Sequence, residues 1–498
     1  MTRKINNAQK IIAGILIFFL FNFCIFSQTN EKVHPSLEPL FIAQDYLDNP
    51  TNMSAFSADE VFRLSLLFSE CPLDSNEGIT CLKIFDTIKA TVTSLEYMNL
   101  SPEDRGRAVL KFLYQDYLKV YEAKQTRTSV ALLTGEYNCV SSALIYMAAA
   151  KAAGLDVRGQ KTPDHAFCTI YTPKKFDVET TNPYGFNPGS KEAVENQDKI
   201  KGYYIVPKKY YSNRQEVSDR IFVGLVAGNI CSDCVLQDDY QKAVPIGAAY
   251  YELVRSEKSV AANQARKDFD ILAANYVNTD IEDAQIFSGI VDWYTSFIDR
   301  WGMTDFLQKN MDNAQANLLV LCFQEKKPEF ARTSLEKNKK YLTQKQYDTC
   351  QEMVIDITFS VAIENTSPEN QIEIINQTLA LPENQTDVIQ KRGQLYLENA
   401  WLMILNDFMN ARNYTDGYKK SEEALKQLPK SSKIKNMRQS FYNNSITIIH
   451  NNFADQANKR NVDAALKILE EGLQQFPDDK TLKKDMSDFQ RMLQNTSL

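Results

Sequence analysis

From about Tyr240 to the C-terminus the chain carries no strand signal, which limits more than half of its 498 residues to helices. Within this region three segments end alike: Ile374 to Pro382 (IINQTLALP), Ser421 to Pro429 (SEEALKQLP) and Leu469 to Pro477 (LEEGLQQFP). Their prolines stand 47 and 48 residues apart, and Asn413 and Asn461 each lie 16 residues before the last two prolines, at the start of an amphipathic helix. Recurrence at a fixed spacing is the signature of stacked helical hairpins, each able to bury its apolar face only against its neighbour. A solenoid is the first expectation. An irregular helical bundle is the second.

The rest of the chain is organised differently. A length of 498 residues predicts at least two domains. With 44% hydrophobic and 24% charged residues, most of the chain is expected to fold in water. The net charge of -7 leaves no basic excess for phosphates or anionic lipid, so nucleic acid is not an expected partner. Residues 1–27 stand apart. Arg3, Lys4 and Lys10 precede a 17-residue apolar run, Ile11 to Ser27. That layout predicts export, as either a cleaved signal peptide or a retained membrane anchor. The expected location is therefore periplasmic, cell-envelope or membrane-anchored.

Residues 28–100 read as a helical segment, with apolar residues at helical spacing around Val61 to Leu67 and again from Leu82 to Ile88. Ser101-Pro102-Glu103-Asp104 opens another helix, with a capping Ser, Pro at the first helical position and acids in the first turn, running toward Tyr121. From Val157 the pattern alternates instead. Val157 to Lys161, His165 to Tyr171 and Phe176 to Thr181 read as strands, followed by a turn-rich loop from Asn182 to Gly189. Nine cysteines in an exported chain permit disulfides, and Cys71 and Cys81 flank a stretch that such a bond would staple. Cys231 and Cys234 form a CxxC without a second ligand pair, and the chain has just three histidines, His34, His165 and His450. No metal or organic cofactor is implied.

Chemistry concentrates near Cys139. Gly135 and polar residues precede it, and Val140, Ala143, Leu144, Met147 and Ala148 then repeat at helical spacing until Gly154. Cys139 is thus placed at a helix N-terminus, where the helix dipole favours a thiolate and backbone N–H groups face a developing oxyanion. His165 opens a predicted strand, and Asp177 and Glu179 follow on the next one, on a shared face. A thiol nucleophile needs a base and a group that orients the base. Cys139, His165 and either Asp177 or Glu179 meet that need. Cys168 is assigned to the core, Asn138 to a turn or an oxyanion contact, and Tyr184 to Phe186 to a substrate rim or to packing.

The runs GEYNCVSSALIYMAAAKAAGLDVRG, PDHAFCTIY and FDVETTNP together resemble the core of the transglutaminase-like, papain-fold superfamily, in its bacterial branch. The resemblance covers Ser101 to Gly189. It implies Cys139 as nucleophile, His165 as general base, and the family's Asp-x-Thr element at either Asp177 or Glu179-Thr180-Thr181, with Phe167 near the place of a frequent Trp. The Ala424-Leu425 to Pro429 ending is similar to the second helix of tetratricopeptide repeats, although the longer period requires longer first helices. The implied fold is α+β: a papain-like core over residues 101–225, then an all-α, tetratricopeptide-like region over 240–498. The implied function is cysteine-dependent acyl transfer or hydrolysis on a protein or peptide substrate. The alternative is a catalytically silent envelope scaffold that binds proteins through its helical repeats.

Overall fold

A computed structural model describes residues 38–40, 55–172, 174–188, 213–277 and 280–496. The apolar N-terminal run, with His34, and Gly189 lie outside the described residues. Among those described, no helix is long and apolar enough to cross a membrane. The chain is mostly helical with a small antiparallel sheet, an α+β arrangement with a large helical part. It divides into two compact units, Met1–Ile281 with Ser296–Leu307, and Glu282–Thr295 with Gln308–Leu498.

In the first unit, α1 (Ala58–Phe68) starts at Ser57, whose hydroxyl accepts from the Glu60 N–H while the Glu60 side chain accepts from the Ser57 N–H. Such a reciprocal cap satisfies two N–H groups that a helix end otherwise leaves unpaired. Helix α2 (Asn76–Val92) follows, and α3 (Pro102–Asp116) begins as the Ser-Pro-Glu-Asp sequence predicts, with Ser101 accepting from Asp104. It stops short of Tyr121, because Val120–Tyr121 forms a two-residue strand β1. Then come α4 (Thr128–Thr134), β2 (Glu136–Tyr137), parallel to β1, and α5 (Cys139–Ala152). The sheet has the order β5-β4-β3-β6, from β3 (Asp156–Lys161), β4 (Ala166–Tyr171), β5 (Lys175–Val178) and β6 (Gln215–Val217), all antiparallel. Strand β6 was not legible in the alternation pattern, being three residues long and separated from its partner by more than fifty.

Helix α5 is the centre of this unit. Val140 to Ala150 are buried without interruption, so the helix has no solvent face and its apolar residues run round the whole circumference. Helices α6 (Asp219–Leu236), α7 (Tyr240–Val254) and α8 (Val260–Asn275) belong to the same unit. The sequence pattern places the start of the helical region near 240; the division falls at 281/282 instead. The reason is packing: Tyr250 of α7 meets Phe68 of α1 edge-on at 6.4 Å, and Phe269 of α8 packs on Phe297 and Trp301 at 4.7 and 4.8 Å.

Helix α9 (Ala284–Trp301) contributes to both units, and the second unit continues through α10 (Asp305–Gln324), α11 (Pro328–Asn338), α12 (Gln344–Ala362) and α13 (Pro368–Ala380). It ends with α14 (Asp387–Asn410), α15 (Tyr414–Gln427), α16 (Ser432–Asn458), α17 (Val462–Gln475) and α18 (Lys480–Thr496). The 47- and 48-residue spacing has a direct cause: α14 and α16, of 24 and 27 residues, alternate with α15 and α17, of 14 each. Arg412 and Arg460 turn the chain with φ of 56° and 59°, and Asn413 and Asn461 follow as helix starts without side-chain capping bonds. One core joins α13 to α16 through Ile375, Trp401, Leu405, Ala424 and Phe441, and a second joins α16 to α18 through Phe453, Leu469, Phe476 and Phe489. Each fully buried side chain of this size contributes about 1.5–3 kcal/mol, so neighbouring hairpins supply the surface that none supplies alone.

Candidate active site

Four consecutive residues put Cys139 where it is. Gly135 ends α4 in the left-handed region at φ 81°, which costs glycine little. Glu136–Tyr137 then extend beside β1, and Asn138 caps α5. The Asn138 side-chain oxygen accepts from the Val140 and Ser141 N–H groups at 2.9 and 3.1 Å, while its amide donates to the Ala123 carbonyl. Cys139 is the first residue of the helix and is partly exposed. Asn138 is therefore a cap, and two of the first-turn donors already point at it; the Cys139 N–H is the first-turn donor that the cap does not take.

His165 closes the four-residue turn between β3 and β4, where the Thr162 N–H donates to the His165 carbonyl at 2.8 Å. Its ring is almost wholly buried and lies 6.3 Å from the Phe167 ring in a stacked arrangement. Nε2 meets Glu179 Oε2 at 2.7 Å. Cys139 lies close enough to the same ring to act on its charge. Burial alone lowers the pKa of an imidazole, but the bonds and charges of Cys139 and Glu179 outweigh it and hold His165 well above its ordinary value. The acid and the sulfur thereby both favour a proton on this ring.

Glu179 is itself fixed. Its Oε1 accepts from the Thr181 N–H at 3.1 Å and the Thr181 hydroxyl at 2.8 Å, and its own N–H donates to the Gly185 carbonyl at 2.8 Å. A Cβ at Gly185 would stand 1.9 Å from the Glu179 carbonyl oxygen, so the turn-rich loop closes around Glu179 only with glycine there. Behind it, Tyr114 donates to the Thr180 carbonyl at 2.7 Å, Tyr137 to the Thr181 carbonyl at 3.3 Å, and the Ser142 and Thr180 hydroxyls meet at 2.9 Å. Helices α3 and α5 thus anchor the segment carrying the acid. Thr181 stands in the Glu179-Thr180-Thr181 element of the sequence, whereas the anchors Tyr114, Tyr137 and Ser142 carry no sequence signal.

Asp177 is placed elsewhere. The β4–β5 register sets it opposite Thr169, whose hydroxyl donates to it at 2.8 Å, and Arg214 pairs with its other oxygen. Four residues separate Thr169 from His165, roughly 13 Å at ~3.3 Å per residue, so Asp177 shares the face by parity but not the site. Cys168 is buried against α5, with its thiol 3.5 Å from the Ala143 carbonyl. Phe186 stacks on Phe176 at 5.8 Å, which makes it packing rather than rim. Cys231 and Cys234 are buried near the C-terminal end of α6, and burial pushes the Cys231 thiol up to about 12, the reverse of what thiol exchange requires. Among the described residues no cluster of three metal-ligating side chains occurs.

No family model matches the chain, and no curated protein matches it. Among solved structures it is similar to menin, whose crystal structure reveals the binding site for the Mixed Lineage Leukemia (MLL) protein, at 10% identity and a TM-score of 0.26 over 80% of this chain and 93% of that one. A likeness that low carries no argument about fold or activity.

Proposed function

We propose that this protein is a transglutaminase-like cysteine acyltransferase or hydrolase of the cell envelope, with Cys139 as nucleophile, His165 as acid and base, and Glu179 as the group that orients His165. The observation that carries this reading is the buried His165–Glu179 pair, its acid clamped by Thr181, with the partly exposed Cys139 beside the ring. A structural histidine needs one partner, and this one has an acid bonded to Nε2 and a partly exposed thiol close by.

The chemistry follows from the arrangement. The Cys139 thiol passes its proton to His165 as the sulfur attacks the carbonyl carbon of a carboxamide or peptide bond, and the oxyanion forms beside the Cys139 N–H. The His165 imidazolium passes its proton to the departing amine, leaving a thioester on Cys139. His165, now neutral, accepts a proton from water or from a second amine as that nucleophile attacks the thioester, giving hydrolysis or cross-linking. The papain-like arrangement of α5 against the sheet and the tetratricopeptide-like character of the second unit belong to the same proposal, with the stacked hairpins presenting a protein or peptide partner.

The test is to incubate the protein with peptides bearing glutamine or internal amide bonds together with a tagged primary amine. Expected products are cleaved or tagged peptide, with a hydroxylamine-sensitive adduct on Cys139 and none in Cys139→Ala. Absence of both product and adduct would favour the scaffold reading. That reading draws on one observation of its own, a cleft of about 250 Å³ among α11 to α14 lined by Arg332, Glu336, Gln351 and Thr358.

A further inference from the structure

Two buried thiols outside the site are brought together by a tightly closed turn. Helix α1 ends at Phe68, and Glu70 reverses the chain with φ 59°. The Cys71 N–H donates to the Leu66 carbonyl at 3.0 Å, and the Ser75 hydroxyl to the Pro72 carbonyl at 2.6 Å. A Cβ at Gly78 would lie 2.1 Å from that same Pro72 oxygen, so the first turn of α2 is pressed directly onto the segment after Cys71. Cys81, one turn further along α2, then comes close enough to Cys71 for each thiol to act on the other. Both thiols are buried, unbonded in the structure, and face Ser129 of α4, whose carbonyl lies 3.9 Å from the Cys81 sulfur.

The geometry points to Cys71 and Cys81 as a disulfide pair that is closed by thiol–disulfide exchange while the chain folds in an oxidising compartment. Two thiols and one glutathione disulfide give the Cys71–Cys81 bond and two glutathione thiols; the two electrons and two protons leave with glutathione. Burial raises both folded thiols, Cys81 to about 12, so neither is a good thiolate once packed. Exchange therefore precedes burial, and the finished bond is shielded from reductant. Its position has a consequence for the site. The Thr128 N–H donates to Ser69 Oγ at 2.8 Å and Arg127 pairs with Glu70 at 2.6 Å, so the stapled turn supports α4, which leads through Gly135 to Cys139. The pairing depends on the export reading for its compartment and not on the catalytic reading.

The experiment refolds the full chain in glutathione redox buffer, unfolds it without reductant, alkylates it with iodoacetamide and maps the digest by mass spectrometry. Expected is a linked Cys71–Cys81 peptide, two hydrogens lighter than the unlinked pair, in most molecules. In Cys81→Ser, Cys71 is expected to carry the alkyl group. A melting comparison covers the case in which that variant folds poorly. Reductant should lower the wild-type melting temperature to that of the Cys71→Ala/Cys81→Ala double variant, which reductant should leave unmoved. Alkylation of both cysteines across the buffer series, or a wild-type melting temperature indifferent to reductant, would overturn the pairing. Cys139 labelling of the folded protein, in a separate sample, reports on the catalytic reading.

Discussion

Two histidine–carboxylate pairs of nearly equal length sit in the two units. His165 and Glu179 meet at 2.7 Å with 3% of either side chain exposed, whereas His450 of α16 and Asp485 of α18 meet at 2.6 Å with 45% of the histidine in water. The bonds are alike and the settings are not. In water a hydrogen-bonded ion pair is screened and contributes about 0–1 kcal/mol. In the interior the same pair commits two polar groups that are costly to leave alone, and a third group, the Cys139 thiol, completes the first pair but not the second. Pair geometry therefore says little about function until burial and the neighbouring thiol are considered.

The largest break in the comparison is expected from removing the acid in each place. Glu179→Ala leaves His165 buried without its partner and should cost roughly 3–5 kcal/mol in chemical denaturation, with loss of any product formed through Cys139. Asp485→Ala should cost under about 1 kcal/mol. Gly185→Ala comes next. Its Cβ cannot coexist with the Glu179 carbonyl, so the loop must shift, at roughly 1–3 kcal/mol and with slower Cys139 alkylation. Thr181→Val removes one of two bonds to Glu179 Oε1 and should cost about 1–2 kcal/mol, slowing Cys139 less than Gly185→Ala.

The pH dependence sharpens the same contrast. The folded state holds the His165 pKa above the value of ~6.5 it has in an unfolded chain. Its stabilisation is thus fully present below ~6.5 and is lost as pH rises through the folded pKa. Unfolding free energy measured across the alkaline range should carry this decline in wild type and lose most of it in Glu179→Gln. The smallest effect is expected from Asp177→Asn, within about 0.5 kcal/mol, because Asp177 pairs with Arg214 at the partly exposed end of the sheet. A loss of Cys139 reactivity in that variant would reverse the assignment of Glu179.

Much of the site was legible because its signals are local. Gly135, Asn138 and the helical spacing after Cys139 mark a helix start, and His165 is the one histidine near a predicted strand. The choice between Asp177 and Glu179 was not legible, since parity places both on one face. It needs the register, with Cys168 opposite Val178, and the end of β5 at Val178. The anchors Tyr114, Tyr137 and Ser142 reach the loop from 38 to 66 residues away, which no short pattern encodes. The same holds for the unit boundary: α7 and α8 have the periodicity of the helices beyond them, and only the contacts of Tyr250 and Phe269 assign them to the first unit.

The most direct test of the account is the iodoacetamide labelling rate of Cys139, followed by peptide mass spectrometry at about pH 6–7, where an ordinary thiol of pKa ~8.5 is mostly protonated. Wild type, His165→Ala and His450→Ala would be compared. The account predicts that His165→Ala slows labelling at least about tenfold, a change of ~1.4 kcal/mol, while His450→Ala leaves it unchanged. Equal rates in all three proteins would contradict it, and Cys139 would then be a helix-capping cysteine beside a structural histidine.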